Sequence, residues 1–256
     1  MCLIAVAWNT RPDLPLALIA NRDEAHARPT AAAGADPEAP HVFGGRDLRS
    51  GGSWLQASSH RRLAAVTNVR AGVAPETAPL SRGWLVRDFV RGDTSAERFA
   101  HALADEAAGY GRFNLLLWDG GALWFASNHP HFALAEVAPG LHAMSNGAFD
   151  APWPKSNAAT RTLHDWLAAS PDASGDLEPL FAGLRDVRPA DDAQLPDTGV
   201  GLALERRLSP PFIQDPVYGT RSSTVVLAGS HEIVFAERRF APDGVPAGDT
   251  CVQLGR

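Results

Sequence analysis

Several short runs in this sequence are apolar almost without interruption. LIAVAW at 3–8, LALIA at 16–20, LAAVTNV at 63–69, FNLLLWD at 113–119, ALWFAS at 122–127 and SSTVVLAG at 222–229 all have strand length. None approaches the roughly 18 apolar residues of a membrane-spanning helix. A short apolar run bounded by turn residues fits a strand with little exposure to water. The first two runs flank NTRPDLP and read as a hairpin buried on both faces. WLQAS (54–58) and LAAVTNV form a second pair. FNLLLWD and ALWFAS meet at Gly120-Gly121, FALAEV (132–137) and LHAMS (141–145) at Pro139-Gly140, and SSTVVLAG turns back into EIVFAERRF (232–240).

Between the strand pairs the spacing changes. SRGWLVRDFVRG (81–92) places Trp84, Leu85, Phe89 and Val90 at helical intervals. A second helix is predicted over 94–108, with Thr94 and Glu97 as a capping box, and a third over 156–170 with Ser156 at its N-cap. Residues 28–41 hold Pro29, Pro37 and Pro40 and read as a surface loop. FGGRDLRSGG (43–52) reads as a glycine-rich loop, and 171–200 receives no element. No fixed-period repeat or long linker divides the chain, so one domain over 1–256 is expected. Strand pairs, then helices, then strand pairs imply antiparallel sheets with helices outside them.

Composition excludes some classes. Against 29 acidic residues stand 23 basic ones, a net charge of −6, with no block of like charge. Nucleic acid is therefore not expected as a main partner. Two cysteines, Cys2 and Cys251, make no disulfide framework and suit a reducing compartment. The start has neither a basic n-region nor a long apolar h-region, which points to a soluble, cytoplasmic protein without a membrane span. Oligomeric state is not readable.

The chemistry-bearing residues sit at the ends of the apolar runs. Cys2 is either a small hydrophobe heading strand one or a nucleophile that becomes the first residue once Met1 is removed. In the second case its α-amine, which ordinarily titrates at about pH 7.7–8.0, can accept the proton of a thiol that ordinarily titrates near 8.5. NRDE (21–24) ends the partner strand. Alternation puts Asn21 and Asp23 on one face and Arg22 and Glu24 on the other. Asn68 and Asn146 are amides at strand ends, able to donate to an oxyanion or simply to fill turns. Arg221, at the mouth of the last hairpin, can bind a carboxylate, steady a thiolate or serve as a salt-bridged strand end. GGRDLRSGG lacks a phosphate-loop ending and is not GxGxxG before a helix; it is expected to be a mobile loop near a site entrance.

Taken in order, MC at the start, ANRDE, GGSWLQAS, LAAVTN, FNLLLWD, MSNG, YGTRSSTVVL and the ERRF at 237–240 resemble the NRDE family, also called the transport and Golgi organization protein 2 family. That family is similar to N-terminal nucleophile hydrolases of the choloylglycine hydrolase and penicillin V acylase type. The resemblance implies an α+β fold, a four-layer αββα sandwich of two antiparallel sheets. It implies Cys2 as nucleophile with its own amine as base, Asp23 holding that amine and Arg22 supporting the thiolate. Asn68 and Asn146 would form the oxyanion hole, and Arg221 would be the late arginine. The hydrolases space the early arginine and aspartate three apart, whereas Arg22 and Asp23 are adjacent, so the amine-holding role lies among Asn21, Asp23 and Glu24. The implied activity is cleavage of a linear amide in a small molecule, which needs no cofactor. Resemblance also implies a second reading, a carrier of haem or acyl-CoA. For this the chain offers no CxxCH, one close histidine pair (His129-Pro130-His131), and seven tryptophans and eleven phenylalanines, most of them expected in the core.

Overall fold

Alternation inside the apolar runs generates the layers. Along β1 (Cys2–Arg11), Leu3, Ala5 and Ala7 face one side, Ile4, Val6 and Trp8 the other, and all six are buried. A run apolar at every position must be covered on both faces, and residues 3–8 are. The computed structural model describes residues 2–73, 76–169 and 175–255.

In chain order the elements are β1, β2 (Leu14–Ala25), β3 (Thr30–Asp36), β4 (Ala39–Asp47), β5 (Leu55–Ser58), β6 (Arg62–Asn68), α1 (Arg82–Arg91), α2 (Ala96–Ala102), β7 (Phe113–Trp118), β8 (Leu123–Ser127), β9 (Ala133–Glu136), β10 (Gly140–Met144), α3 (Pro154–Ala169), α4 (Glu178–Leu184), α5 (Leu202–Arg207), β11 (Tyr218–Ala228), β12 (Glu232–Phe240) and β13 (Pro246–Gly255). Two antiparallel sheets result. One runs β10-β1-β2-β11-β12-β13 and the other β3-β4-β5-β6-β7-β8-β9. Their facing sides share a core of Ile4, Val6, Leu18, Leu63, Leu116 and Val226, among others. Helices α1 and α2 cover the outside of the second sheet through Leu85, Phe89 and Ala100 against Val66 and Leu117. Helices α3 and α4 cover the outside of the first through Leu163, Trp166 and Leu180 against Leu3, Ile19 and Val225. The αββα order that the family resemblance implies is the order found.

Several local expectations need correction. Residues 30–41 are not a loop but the hairpin β3–β4. The prolines punctuate it: Pro29 precedes the first strand residue and Pro37 lies in the turn. Pro40 stands before Val42, where pairing with β5 begins, so its missing N–H costs no bond to β5. Half of FGGRDLRSGG is therefore strand. The remainder is tied to α1 by Trp84 Nε1, which donates to Ser50 O at 2.7 Å, and just beyond it Ser53 N donates to Gly83 O at 3.0 Å. Helix α2 is capped by Ser95, whose Oγ accepts from Arg98 N at 3.3 Å, rather than by Thr94. Helix α3 starts two residues before Ser156, which is buried in its first turn. Its expected last residue, Ser170, and residues 171–174 lie outside the described residues, as does Met1. The strand β13 had no apolar signal because it is an edge whose residues are mostly exposed.

Candidate active site

Strand ends bring the site together. Cys2 opens β1, and Arg22 stands directly opposite it on β2. Ser145 and Asn146 follow the last residue of β10, the strand on the other side of β1. Asn68 closes β6 in the facing sheet, and the first turn of α3 supplies Lys155. A cavity of about 760 Å³ opens here, with Cys2, Arg22, Asp23, Trp54 and Asn68 in its wall.

Cys2 is half-buried, and burial pushes its thiol above the ordinary cysteine value while the Arg22 guanidinium pulls it down. Arg22 is 5 % exposed. Its guanidinium lies 4.1 Å from the centre of the Trp54 ring, and Nη1 donates to Thr30 Oγ1 at 3.1 Å. The ring packs against Gly45, where a Cβ would fall 2.2 Å from it, so only glycine lets Trp54 reach this position. The carboxyl of Asp23 is raised by burial and pulled back by Lys155; its Oδ1 accepts from Thr220 Oγ1 at 2.7 Å. Tyr218 OH donates to the Asp23 carbonyl at 3.0 Å. Glu24 also lines the cavity. Asn21 points the other way: its Nδ2 donates to Leu184 O and Pro211 O, both at 2.8 Å, and its Oδ1 accepts from Ser223 Oγ at 2.6 Å. Of the three candidates for holding the amine, Asp23 and Glu24 share the cavity wall with Cys2 and Asn21 does not.

The two asparagines are in contact but are not equivalent. Asn146 is fully buried, and its Nδ2 donates to Asn68 O at 2.9 Å and Asn68 Oδ1 at 3.2 Å. Its own Oδ1 accepts from Lys155 Nζ at 3.4 Å. Asn146 thus stands behind Asn68 and fixes its amide, leaving the Asn68 Nδ2 as the amide donor on the cavity wall. Ser145 ties the same segment to the nucleophile strand, its Oγ donating to Cys2 O at 3.0 Å.

Arg221 is placed differently from the sequence expectation. Its Nη1 donates to the carbonyls of Ala25, His26 and Arg28 at 3.0–3.2 Å. It lines a separate cleft, with His26, Trp54 and Glu237. The cause is a bulge: Thr220 pairs with Asp23 and Ser222 with Arg22, so Arg221 is the extra residue. The pair His129 and His131 lies in the β8–β9 turn, outside the cavity wall.

The cavity wall carries six arginines (22, 28, 49, 70, 82 and 112) and four acids (Asp23, Glu24, Asp47 and Glu76). Arg28 pairs with Asp47 at 2.6 Å, whereas Arg82 and Arg112 share Glu76 at 2.6 and 2.9 Å. Arg70 pairs with Glu205 at 2.5 Å. A chain with net charge −6 therefore presents a wall with an excess of positive charge.

Sequence reasoning missed Trp54, Ser145, Lys155, Tyr218 and Thr220. Lys155 had a readable signal. Of 23 cationic side chains it is the one lysine, the rest being arginine.

Three kinds of likeness accord with this geometry. The family described as Transport and Golgi organisation 2 matches residues 1–242. The chain is 30 % identical over 258 residues to the Transport and Golgi organization protein 2 homolog of Bos taurus, covering 93 % of this chain and 92 % of that one. It is 28 % identical to the Drosophila melanogaster Transport and Golgi organization protein 2, with 90 % and 88 % covered. Among solved structures, the C2A mutant of conjugated bile acid hydrolase from Clostridium perfringens superposes with a TM-score of 0.57 at 8 % identity, covering 98 % of this chain and 92 % of that chain. The Caenorhabditis elegans ortholog of N-acylethanolamine-hydrolyzing acid amidase does so at 0.51 and 10 %, covering 88 % and 92 %. Those two likenesses are of fold, that of N-terminal nucleophile hydrolases. The sequence likeness spans nearly the whole length, and by it this chain belongs to the Transport and Golgi organisation 2 family.

Proposed function

We propose that the protein is an N-terminal cysteine amidohydrolase that cleaves a linear amide of a small molecule. The observation that carries this is the setting of Cys2: a half-buried thiol opposite Arg22, beside Asp23, on the wall of a polar cavity that also holds the Asn68 amide. With Met1 removed, the α-amine of Cys2 takes the thiol proton as sulfur attacks the carbonyl carbon. A thiol raised by burial rests neutral, which suits transfer at the moment of attack. Asn68 Nδ2 donates to the developing oxyanion, and Asn146 holds it in that orientation. The ammonium then returns its proton to the leaving nitrogen, the C–N bond breaks, and water resolves the thioester by the same route. In this reading Asp23 or Glu24, both on the cavity wall, holds the ammonium.

The test is a panel of small N-acyl amides presented to Cys2→Ser and Cys251→Ser proteins, with intact mass recording whether Met1 is present. The Cys251 variant is expected to hydrolyse a panel member and the Cys2 variant to lose at least about a hundredfold, the order typical of a lost catalytic group. Equal turnover in the two ends the reading. The arginine excess on the wall favours a second reading, carriage of a polyanionic ligand such as acyl-CoA or haem. It predicts saturable micromolar binding that survives Cys2→Ala. Absence of binding by both ligands removes it.

A further inference from the structure

Lys155 carries an inference of its own. The chain places arginine at every other cationic position and keeps one lysine, on the first turn of α3. Its side chain is 2 % exposed. Among the described residues its single hydrogen bond is the 3.4 Å contact to Asn146 Oδ1, and no carboxylate lies within ion-pair distance of it. A buried ammonium without a close anion is costly unless something else in the site requires it. Arginine and lysine differ in the property at issue. A guanidinium stays charged, whereas a buried ammonium is a compact charge whose proton can be shed.

We propose that Lys155 is a positioning residue of the candidate site, whose ammonium supports charge on Cys2 sulfur and, through Asn146, keeps the Asn68 amide turned toward the cavity. The inference rests on the hydrolase reading of the site, yet concerns the thiol rather than turnover. Burial lowers the Lys155 pKa from the ordinary lysine value to about 8, against the opposing pull of Asp23 and Cys2. The charged and titratable groups facing this pair are Arg22 and Asp23 from β2, Tyr218 from β11, Arg70, and Glu205 from α5.

Two measurements decide the matter. In a Cys251→Ser background, iodoacetamide reports Cys2 alone. Lys155→Met, a neutral side chain of similar length, is expected to alkylate about tenfold more slowly at pH 7, the change that one unit in thiol pKa produces. Its melting temperature is expected to hold or rise, because apolar replacement of a buried charge is often stabilising. A lysine kept only for structure predicts the reverse pattern, a lower melting temperature with the alkylation rate unchanged, and that result overturns the proposal. Protein grown on lysine labelled with ¹³C at Cε gives one side-chain resonance, because there is one lysine. Its titration midpoint is expected near 8 and is expected to fall in Cys2→Ala, since coupling between two groups is reciprocal. A midpoint indifferent to Cys2→Ala overturns the proposal even where the methionine variant does not fold. Neither readout needs turnover, so an inactive protein would remove the hydrolase reading and leave Lys155 to be judged separately.

Discussion

The two ends of β1 and β2 differ sharply, although they belong to one continuous ribbon. From Leu3 to Trp8 and from Leu16 to Ala20 both strands are buried and apolar. At Cys2 and from Asn21 to Asp23 the same strands bury an amide, a guanidinium and a carboxyl against Ser145, Asn146, Lys155, Thr220 and Ser223. The apolar end is stabilised by every group removed from water. The polar end pays for burial with hydrogen bonds that only match what water offered. One end fixes where the strands lie, and the other is held in place by them. Substitutions at the two ends should therefore separate stability from thiol chemistry.

The largest stability effect belongs to the apolar end. Leu18 is fully buried in the inter-sheet core, opposite Val6 on β1 and Val226 on β11. Leu18→Ala is expected to lower unfolding free energy by about 2–5 kcal/mol, measured by denaturant titration. The alkylation rate of Cys2 in the folded variant should stay within about twofold of the parent, since changes at separated sites do not couple strongly. A tenfold change there would show that the two ends are not separable.

Next come two buried aspartates of opposite character. Burial raises the Asp36 carboxyl, but hydrogen bonds from Arg91 at 2.7 Å, its charge and the backbone N–H groups of Glu38 and Ala39 together outweigh it, and the net shift is downward. The stability this contributes is present above the unfolded carboxyl value of about 3.9 and is lost as pH falls through the lower folded value. Asp36→Asn is expected to cost about 1–3 kcal/mol at pH 7 and progressively less under acid. Asp23 is shifted upward, chiefly by burial. Its favourable contribution is complete below about pH 3.9 and is lost as pH rises through the raised folded value, so it is absent or reduced at neutrality. Asp23→Asn should leave the melting temperature at pH 7 unchanged or higher. Parallel losses in the two variants would refute the contrast.

The same division decides what the sequence could reveal. Antiparallel sheets covered by helices were legible because Leu3 through Trp8 are apolar on both sides, and a run of that kind has no face to give to water; the four-layer order came from the family resemblance. Cys2, Arg22 and Asp23 were legible from their place at strand ends, and Asn68 and Asn146 likewise. Their order in depth was not, because it depends on which amide faces which across two sheets. The direction of Arg221 depends on a one-residue bulge that no residue type announces. Hairpin β3–β4 was hidden by prolines that mark its boundaries. Lys155 was hidden by being single, although in a chain of arginines a solitary lysine is itself a signal.

The smallest effect is expected at the other cysteine, and it calibrates the rest. Cys251 is exposed on β13, the outer strand of the sheet that also holds the half-buried Cys2 on β1, four strands away. It pairs with Ala236 on β12 and lines none of the site cavity. Cys251→Ser should change stability by less than about 0.5 kcal/mol, as surface substitutions usually do. Alkylation should tell the two thiols apart by rate, the exposed one reacting first and the half-buried one, raised by burial, more slowly. The variant is expected to lose the fast phase and keep the slow one. Survival of the fast phase would place the reactive thiol at Cys2 despite its burial, and would mean that the polar end already holds sulfur as thiolate before any substrate arrives.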